Sequence, residues 1–169
     1  MELREAILHR RSIRVFAPGE VPEEAVREML LAAMYAPSAG NQRPWHFVVV
    51  RDRRLLETVA IIHPYAQMSK QAALGILVCC DTTGIKYRDL WPQDLAAATQ
   101  NLLLMAHGLG LGAVWTAVYP DPERVLAFRR TFQLPSHVDP FAFVPIGQPG
   151  ETPEHPERFD ESRIHSNLW

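Results

Sequence analysis

Cysteine is almost missing from this chain. Its two cysteines, Cys79 and Cys80, stand side by side inside an apolar run, where successive strand side chains point to opposite faces, so no bridge between them is expected. There is no CxxC pair and no disulfide framework, which makes a reducing, cytoplasmic setting the default expectation. Metal-ligand spacing is missing as well. The seven histidines form no HExxH or HxH pattern and no Cys or Asp cluster accompanies them, so no metal is expected. No serine occupies a GxSxG elbow, and no Cys–His pairing points to a nucleophile. His46 and His107 are read as buried or interfacial histidines.

Positive charge is not in excess. With 17 Lys and Arg against 19 Asp and Glu, the net charge of -2 gives no global field to hold nucleic acid or an anionic membrane. The basic clusters RRSIR and RDRR lack the aromatics at repeated spacing that a nucleic-acid module uses. The opening MELREAILHRRSIR has no signal-peptide-like apolar core. From Leu95 to Tyr119 the chain carries no Asp, Glu, Lys or Arg, a span nominally long enough for a bilayer. Thr99, Gln100, Asn101 and His107 interrupt it, and Gly108, Gly110 and Gly112 would break a spanning helix, so it reads as a buried helix followed by a buried strand. Neither a nucleic-acid nor a membrane partner is expected.

What remains is an ordinary globular composition, 47% apolar and 21% charged in 169 residues, which suits one domain with one sizeable core. Residues 2 to 10 read as a short helix. Pro22 opens a second, with Glu23 and Glu24 in its first turn and Val26, Met29, Leu30, Ala33 and Met34 on one apolar face, and Pro37 ends it. HFVVVR is a β-branched run typical of a buried strand, DRRLLETVAIIH a helix, and ALGILVCCD a second strand. A long helix from about Pro92 to His107 precedes the glycine series. A third strand is predicted around AVWTAVY, a helix over PDPERVLAFRRTF, a fourth strand over 141–147, and then a polar tail. No repeat or linker is visible. Helices alternating with strands suggest, generically, a doubly wound parallel sheet.

Three motifs invite chemistry. GLGLG follows a helix and precedes a strand, the reverse of the order a dinucleotide turn needs; it is either a tight turn with close backbone packing or a backbone approach to a planar cofactor. Arg10, Arg11, Ser12 and Arg14 in RRSIR are suited to a phosphate through guanidinium forks and a hydroxyl, or form a solvated basic patch. PSAGNQRPW sets Ser38, Asn41 and Gln42 on a proline-stiffened loop. Such groups satisfy the edge of a heteroaromatic ring, but a plain helix-to-strand loop uses the same residues.

In order and spacing, RRSIR, PSAGNQRPW, GLGLGAVWTAVYP and PIGQP resemble the nitroreductase family of FMN-dependent oxidoreductases, over nearly the whole chain from about Ile7. The tail RFDESRIHSNLW is similar to that of the family's short-chain subgroup. The resemblance implies an α+β fold with a central, mostly antiparallel sheet flanked by helices, replacing the parallel reading. It also implies an intertwined homodimer with two shared FMN sites. One domain, residues 1–169, would bind FMN, with 148–169 as a C-terminal extension packing on the partner subunit. By similarity, Arg10, Arg11, Ser12 and Arg14 would hold the FMN phosphate, ribityl chain and pyrimidine edge, and Pro37, Ser38, Ala39 and Asn41 of the other subunit would cover the ring. Trp115, Thr116 and Ala117 would bring backbone near the flavin, and Arg158 in PERF would reach the phosphate. Position 117 is Ala where many members of the family have Gly, and a methyl group there would narrow the approach to the ring. The region from Pro64 to Asp94 would shape the substrate opening, with Tyr65, Met68, Lys70, Tyr87 and Trp91 as rim candidates.

The implied activity is hydride transfer from NADH or NADPH through FMN to an electron-poor acceptor, a small nitroaromatic or a quinone, with ping-pong kinetics. No side chain is assigned as a general acid or base; Arg14 is the candidate electrostatic partner of the reduced ring. The alternatives are specialised family chemistry (reductive dehalogenation, flavin cleavage or biosynthetic dehydrogenation) and a non-enzymatic flavin-binding protein.

Overall fold

A computed structural model describes residues 1–169. In chain order the elements are α1 (Leu3–His9), β1 (Phe16–Ala17), α2 (Glu23–Met34), β2 (Trp45–Val50), α3 (Arg53–Ile62), β3 (Leu74–Asp81), α4 (Trp91–Gly108), β4 (Gly112–Ala113), β5 (Thr116–Ala117), α5 (Pro122–Thr131) and β6 (Val138–Pro149). Short 3-10 turns lie at Ala39–Asn41, Gln67–Lys70 and Glu161–Arg163. Two helix starts are set by aspartates. Asp52 accepts from the N–H groups of Arg54 and Leu55, and Asp121 accepts from that of Arg124, satisfying donors that the first turn leaves free.

The sheet runs β1-β6-β3-β2, with β4 and β5 also on β6, and every pairing is antiparallel. The generic parallel reading therefore fails, and the antiparallel α+β architecture implied by the family resemblance is what the chain adopts. Period-two alternation divides β3 between two cores. Leu74, Ile76, Val78 and Cys80 face α2 and α4, packing with Met29, Leu95 and Leu102. Leu77 and Cys79 face the other layer with Leu56, Val59, Phe128 and Phe143. The two cysteines are thus free and buried on opposite faces, and burial is the main cause that pushes both thiols up to about 12, leaving them unreactive.

Two strands depart from expectation. The single strand predicted over AVWTAVY is two short pieces, β4 opposite Gly147 and Ile146 and β5 opposite Phe143 and Ala142. The break faces Pro145, whose carbonyl accepts a long bond, 3.4 Å, from the Val114 N–H but which has no N–H to return. Residues Phe16 and Ala17, for which no strand was predicted, form β1 against Pro149 and Gln148. No helix is long and apolar enough to cross a membrane. The uncharged stretch instead supplies α4, whose Leu95, Ala98, Leu102 and Ala106 are fully buried, and the β4–β5 segment.

The glycine series closes α4. Gly110, at φ 77°, lets its own N–H bond the His107 carbonyl at 3.0 Å and the Leu111 N–H bond the Ala106 carbonyl at 2.9 Å, the left-handed termination that glycine permits. Gly112 allows close approach: a Cβ there would lie 2.8 Å from Ile13 Cγ2. The tight-turn, close-packing reading accounts for both glycines.

Candidate functional site

RRSIR lies extended beside β4, where the Ile13 N–H bonds the Ala113 carbonyl at 3.1 Å. Farther along, Glu151 holds it from the other side, accepting from the Arg14 N–H and, at 3.1 Å, from the Val15 N–H. The first motif, the glycine segment and the end of β6 are therefore joined in one place. The tail then returns over α1, and its residues His155 to Phe159 enclose, with Arg4, Ile7, Leu8, His9, Arg10 and Arg11, a cavity of about 600 Å³.

Arg10, Arg11 and Arg158 meet at this cavity across almost the whole sequence, and none of them forms an ion pair. Burial, and then the positive charges of Arg158 and Arg11, push Arg10 below the ordinary arginine value. Glu157 also lines the cavity, but its carboxylate accepts from the N–H groups of Arg158 and Phe159; like charges gathered without an ion pair oppose folding, and an oxyanion is the group that relieves them, because guanidinium forks match its geometry. The donor set fits a phosphate monoester. Arg11 has a different duty from Arg10: its Nε donates to the Glu154 carbonyl at 2.9 Å, and one terminal nitrogen donates to the Leu8 and Arg10 carbonyls at 2.8 and 2.9 Å. It pins the tail to α1 and so keeps Arg158 opposite Arg10. Ser12 is half-buried and Arg14 exposed; the Arg14 guanidinium reaches only the Ser12 carbonyl, at 3.4 Å.

The PSAGNQ loop makes its contacts elsewhere. Asp94, 4% exposed in the first turn of α4, accepts from the Ala39 N–H at 2.8 Å and from Gln42 Nε2 at 2.7 Å. The Gln42 Oε1 accepts from the N–H groups of Lys86 and Tyr87 at 3.2 and 3.1 Å, so this amide serves the loop rather than a ligand edge. Ser38 Oγ accepts from the Arg43 N–H at 3.0 Å. Pro37 and Asn41 are exposed, Asn41 at φ 55°. Gly40 is required by contact, since a Cβ there would lie 2.4 Å from the Tyr87 ring.

Trp115, Thr116 and Ala117 sit on the outer edge of β6. Thr116 is 4% exposed and donates its hydroxyl to the Phe143 carbonyl at 2.6 Å. Ala117 is exposed and has no positive φ, so its methyl group costs nothing in backbone strain. Its carbonyl is held twice, by His63 Nε2 at 3.0 Å and by Arg124 at 2.6 Å. His63 is fully buried and accepts from the Tyr65 N–H at Nδ1, 3.1 Å away, which fixes the neutral tautomer with its proton on Nε2.

Among the rim candidates, Tyr65, Lys70 and Tyr87 are exposed, and Met68 is half-buried between two core clusters. Trp91, only 8% exposed, packs edge-on to Tyr119 at 4.7 Å and Phe141 at 6.0 Å; it lies in the core because it is the first residue of α4 and faces the sheet. His46, expected to be buried or interfacial, is exposed and lies 3.7 Å from Asp81. The arrangement also involves His9, His63, Asp94, Arg124 and His155, which belong to no sequence motif. Only the Asp-Pro helix start beside Arg124 and the acidic residue in the first turn of α4 carried a local signal.

Comparison with known proteins follows the same lines. The pattern defining the "Nitroreductase family" matches residues 7–77 and 67–148. A protein of Methanothermobacter thermautotrophicus, provisionally named NADH dehydrogenase/NAD(P)H nitroreductase, is 51% identical over 169 residues, covering 100% of this chain and 88% of that one. A crystal structure of a Parabacteroides distasonis protein with the same provisional name is similar at TM-score 0.93 and 42% identity, over 98% of both chains. A Desulfovibrio desulfuricans structure, provisionally a nitroreductase and in complex with FMN, is similar at TM-score 0.84 and 30% identity, over 98% of this chain and 96% of that one.

Proposed function

The chain belongs to the nitroreductase family, and from that premise we propose that it is an FMN-dependent oxidoreductase carrying hydride from NADH or NADPH to small electron-poor acceptors such as nitroaromatics or quinones. The observation that carries this reading is the arginine pocket, in which Arg10 and Arg158 face a cavity and form no ion pair, its one carboxylate, Glu157, being engaged by the N–H groups of Arg158 and Phe159.

FMN, when bound, supplies the chemistry itself, accepting hydride from the nicotinamide and passing it on. The protein binds and orients. Arg10 and Arg158 hold the phosphate, Arg11 keeps the tail in place, and Ser12 adds a neutral donor. Arg14, whose exposed guanidinium forms no ion pair, supplies positive charge to the pyrimidine edge, where reduction accumulates negative charge. The Ala117 carbonyl, fixed by His63 and Arg124, aligns the β5 backbone against the ring. Donor and acceptor occupy the same place in turn, which gives ping-pong kinetics. The whole chain acts as one domain, and the buried free thiols accord with a reducing, cytoplasmic setting.

The site is shared between two copies in this reading. Asp94, which anchors the PSAGNQ loop, and His107, beside the arginine pocket, stand at opposite ends of α4, roughly 20 Å apart at the helical rise. A two-fold partner would bring the loop of one chain, with Pro37, Ser38, Ala39 and Asn41, to the arginines of the other. Surfaces suited to such a partner are present: Ile7, Leu8, Leu31 and Met34 are exposed, as are Phe159, Ile164, Leu168 and Trp169 of the tail, which would pack on the partner. Sedimentation at micromolar concentration is expected to give twice the 19.1 kDa chain mass. A monomer with FMN bound would contradict the shared site.

The decisive experiment is an absorption spectrum of the purified protein before and after anaerobic NADPH or NADH. Flavin bands near about 370 and 450 nm that bleach with either donor are expected. Bands that persist would favour a non-enzymatic flavin carrier, and no bands after reconstitution with FMN would overturn the assignment.

A further inference from the structure

Beside the arginine pocket lies a smaller cavity of about 220 Å³ that shares with it His9, Arg11 and His155 and is also lined by His107. The three imidazoles arrive from elements remote in sequence: the end of α1, the last turn of α4 and the tail. The rings of His9 and His155 meet edge to face, with centroids 5.3 Å apart. The Nε2 of His107 is buried and has no hydrogen-bond partner, an arrangement that costs stability until something supplies one. The three do not form a group that could hold a metal ion.

We propose that His9, His107 and His155 are part of the anion site, and that binding of a phosphate monoester dianion against Arg10 and Arg158 draws protons from solvent onto His107 and His155. The proposal rests on the FMN reading and extends it, since the ligand phosphate would be that of the flavin.

The charges around the imidazoles are mostly positive. Arg4, His9, Arg10 and Arg11 come from α1 and its end, the α-amino group from Met1, His107 from α4, and Glu151, His155, Glu157 and Arg158 from the tail. Both carboxylates are engaged locally, Glu151 with the N–H groups of Arg14 and Val15, and Glu157 with those of Arg158 and Phe159. Burial, and then Arg10, His9, His155 and Arg11, hold His107 below the ordinary histidine range; partial desolvation, then Arg11 and His9, do the same to the exposed His155. Both therefore hold a proton less readily in the free protein than an ordinary imidazole does. A dianion reverses the local field and raises their affinity for protons. Protons bound on ligation require, by linkage, that affinity fall as pH rises.

The test is calorimetric titration of the flavin-free full-length protein with FMN and with riboflavin, which lacks the phosphate, in buffers of different ionisation enthalpy. At about pH 7 the phosphate is mostly dianionic, its second pKa being about 6, so it cannot itself take up the protons. FMN should take up about half a proton more than riboflavin, and its affinity should fall about tenfold between about pH 6.5 and 8.5. Both effects should vanish in the triple variant His9→Gln, His107→Gln, His155→Gln, and the proton uptake should shrink in His155→Gln alone, which changes only an exposed tail position and covers a triple variant that does not fold. Equal uptake with the two flavins, or uptake retained in these variants, overturns the proposal. If neither flavin binds, the FMN reading itself fails, and the same titration with inorganic phosphate decides the role of the histidines.

Discussion

Arg10→Ala should weaken FMN binding on the order of 100-fold and leave riboflavin binding nearly unchanged. The Arg10 guanidinium is half-buried, unpaired and already opposed by Arg158 and Arg11, so almost all of its favourable interaction awaits an anion. Charge-assisted hydrogen bonds to phosphate contribute about 2–3 kcal/mol, which sets the size of the effect. Fluorescence titration with both flavins measures it directly, and equal losses for FMN and riboflavin would remove the phosphate from this pocket. Arg14→Ala should behave differently, because its exposed side chain touches no carboxylate and reaches only the Ser12 carbonyl. It should slow flavin reduction about tenfold while loosening retention more mildly. Full FMN occupancy with unchanged turnover would exclude Arg14 as the electrostatic partner of the ring.

Gly75→Val should destabilise the fold by about 3 kcal/mol, the upper range for overpacking a core. A Cβ at Gly75 would lie 2.1 Å from Phe143 Cζ. That ring is fully buried and packs on Phe128 and Phe132 at centroid distances of 6.0 and 6.3 Å, so it has nowhere to withdraw. Because Phe143 also pairs with Thr116 on β5, the strain would reach the Ala117 carbonyl. Urea denaturation should show the loss, and adding Phe143→Leu should restore part of it by vacating the ring's volume. Unchanged stability in the single variant would mean that the Phe143 ring has a second place to go.

Most elements were readable because their signals are local. The apolar face of α2, the proline in the first turn of α5 and the β-branched run of β2 each occupy one short window. β1 and the division between β4 and β5 were not readable. β1 is a two-residue strand with no period of its own, and the break depends on Pro145 standing opposite Val114, a matter of register. His46 carried no local signal of exposure, since its place beside Asp81 depends on the pairing of β2 with β3.

The amino-acid sequence by itself determined the arginine motif and the lack of a disulfide framework, which are properties of spacing and composition; the α+β fold and the cofactor role of the PSAGNQ loop came from the resemblance to the nitroreductase family, since helix–strand alternation alone suggested a parallel sheet. Only the tertiary structure decided what each residue does. It separated Arg11, spent on three carbonyls, from Arg10, which has no partner. It showed Gln42 committed to Asp94 and Tyr87, and it brought His9, His107 and His155 to one wall. The physical reason is that a side chain's availability depends on which donors and acceptors surround it, and those come from segments far apart in sequence that meet only when the sheet closes around β6.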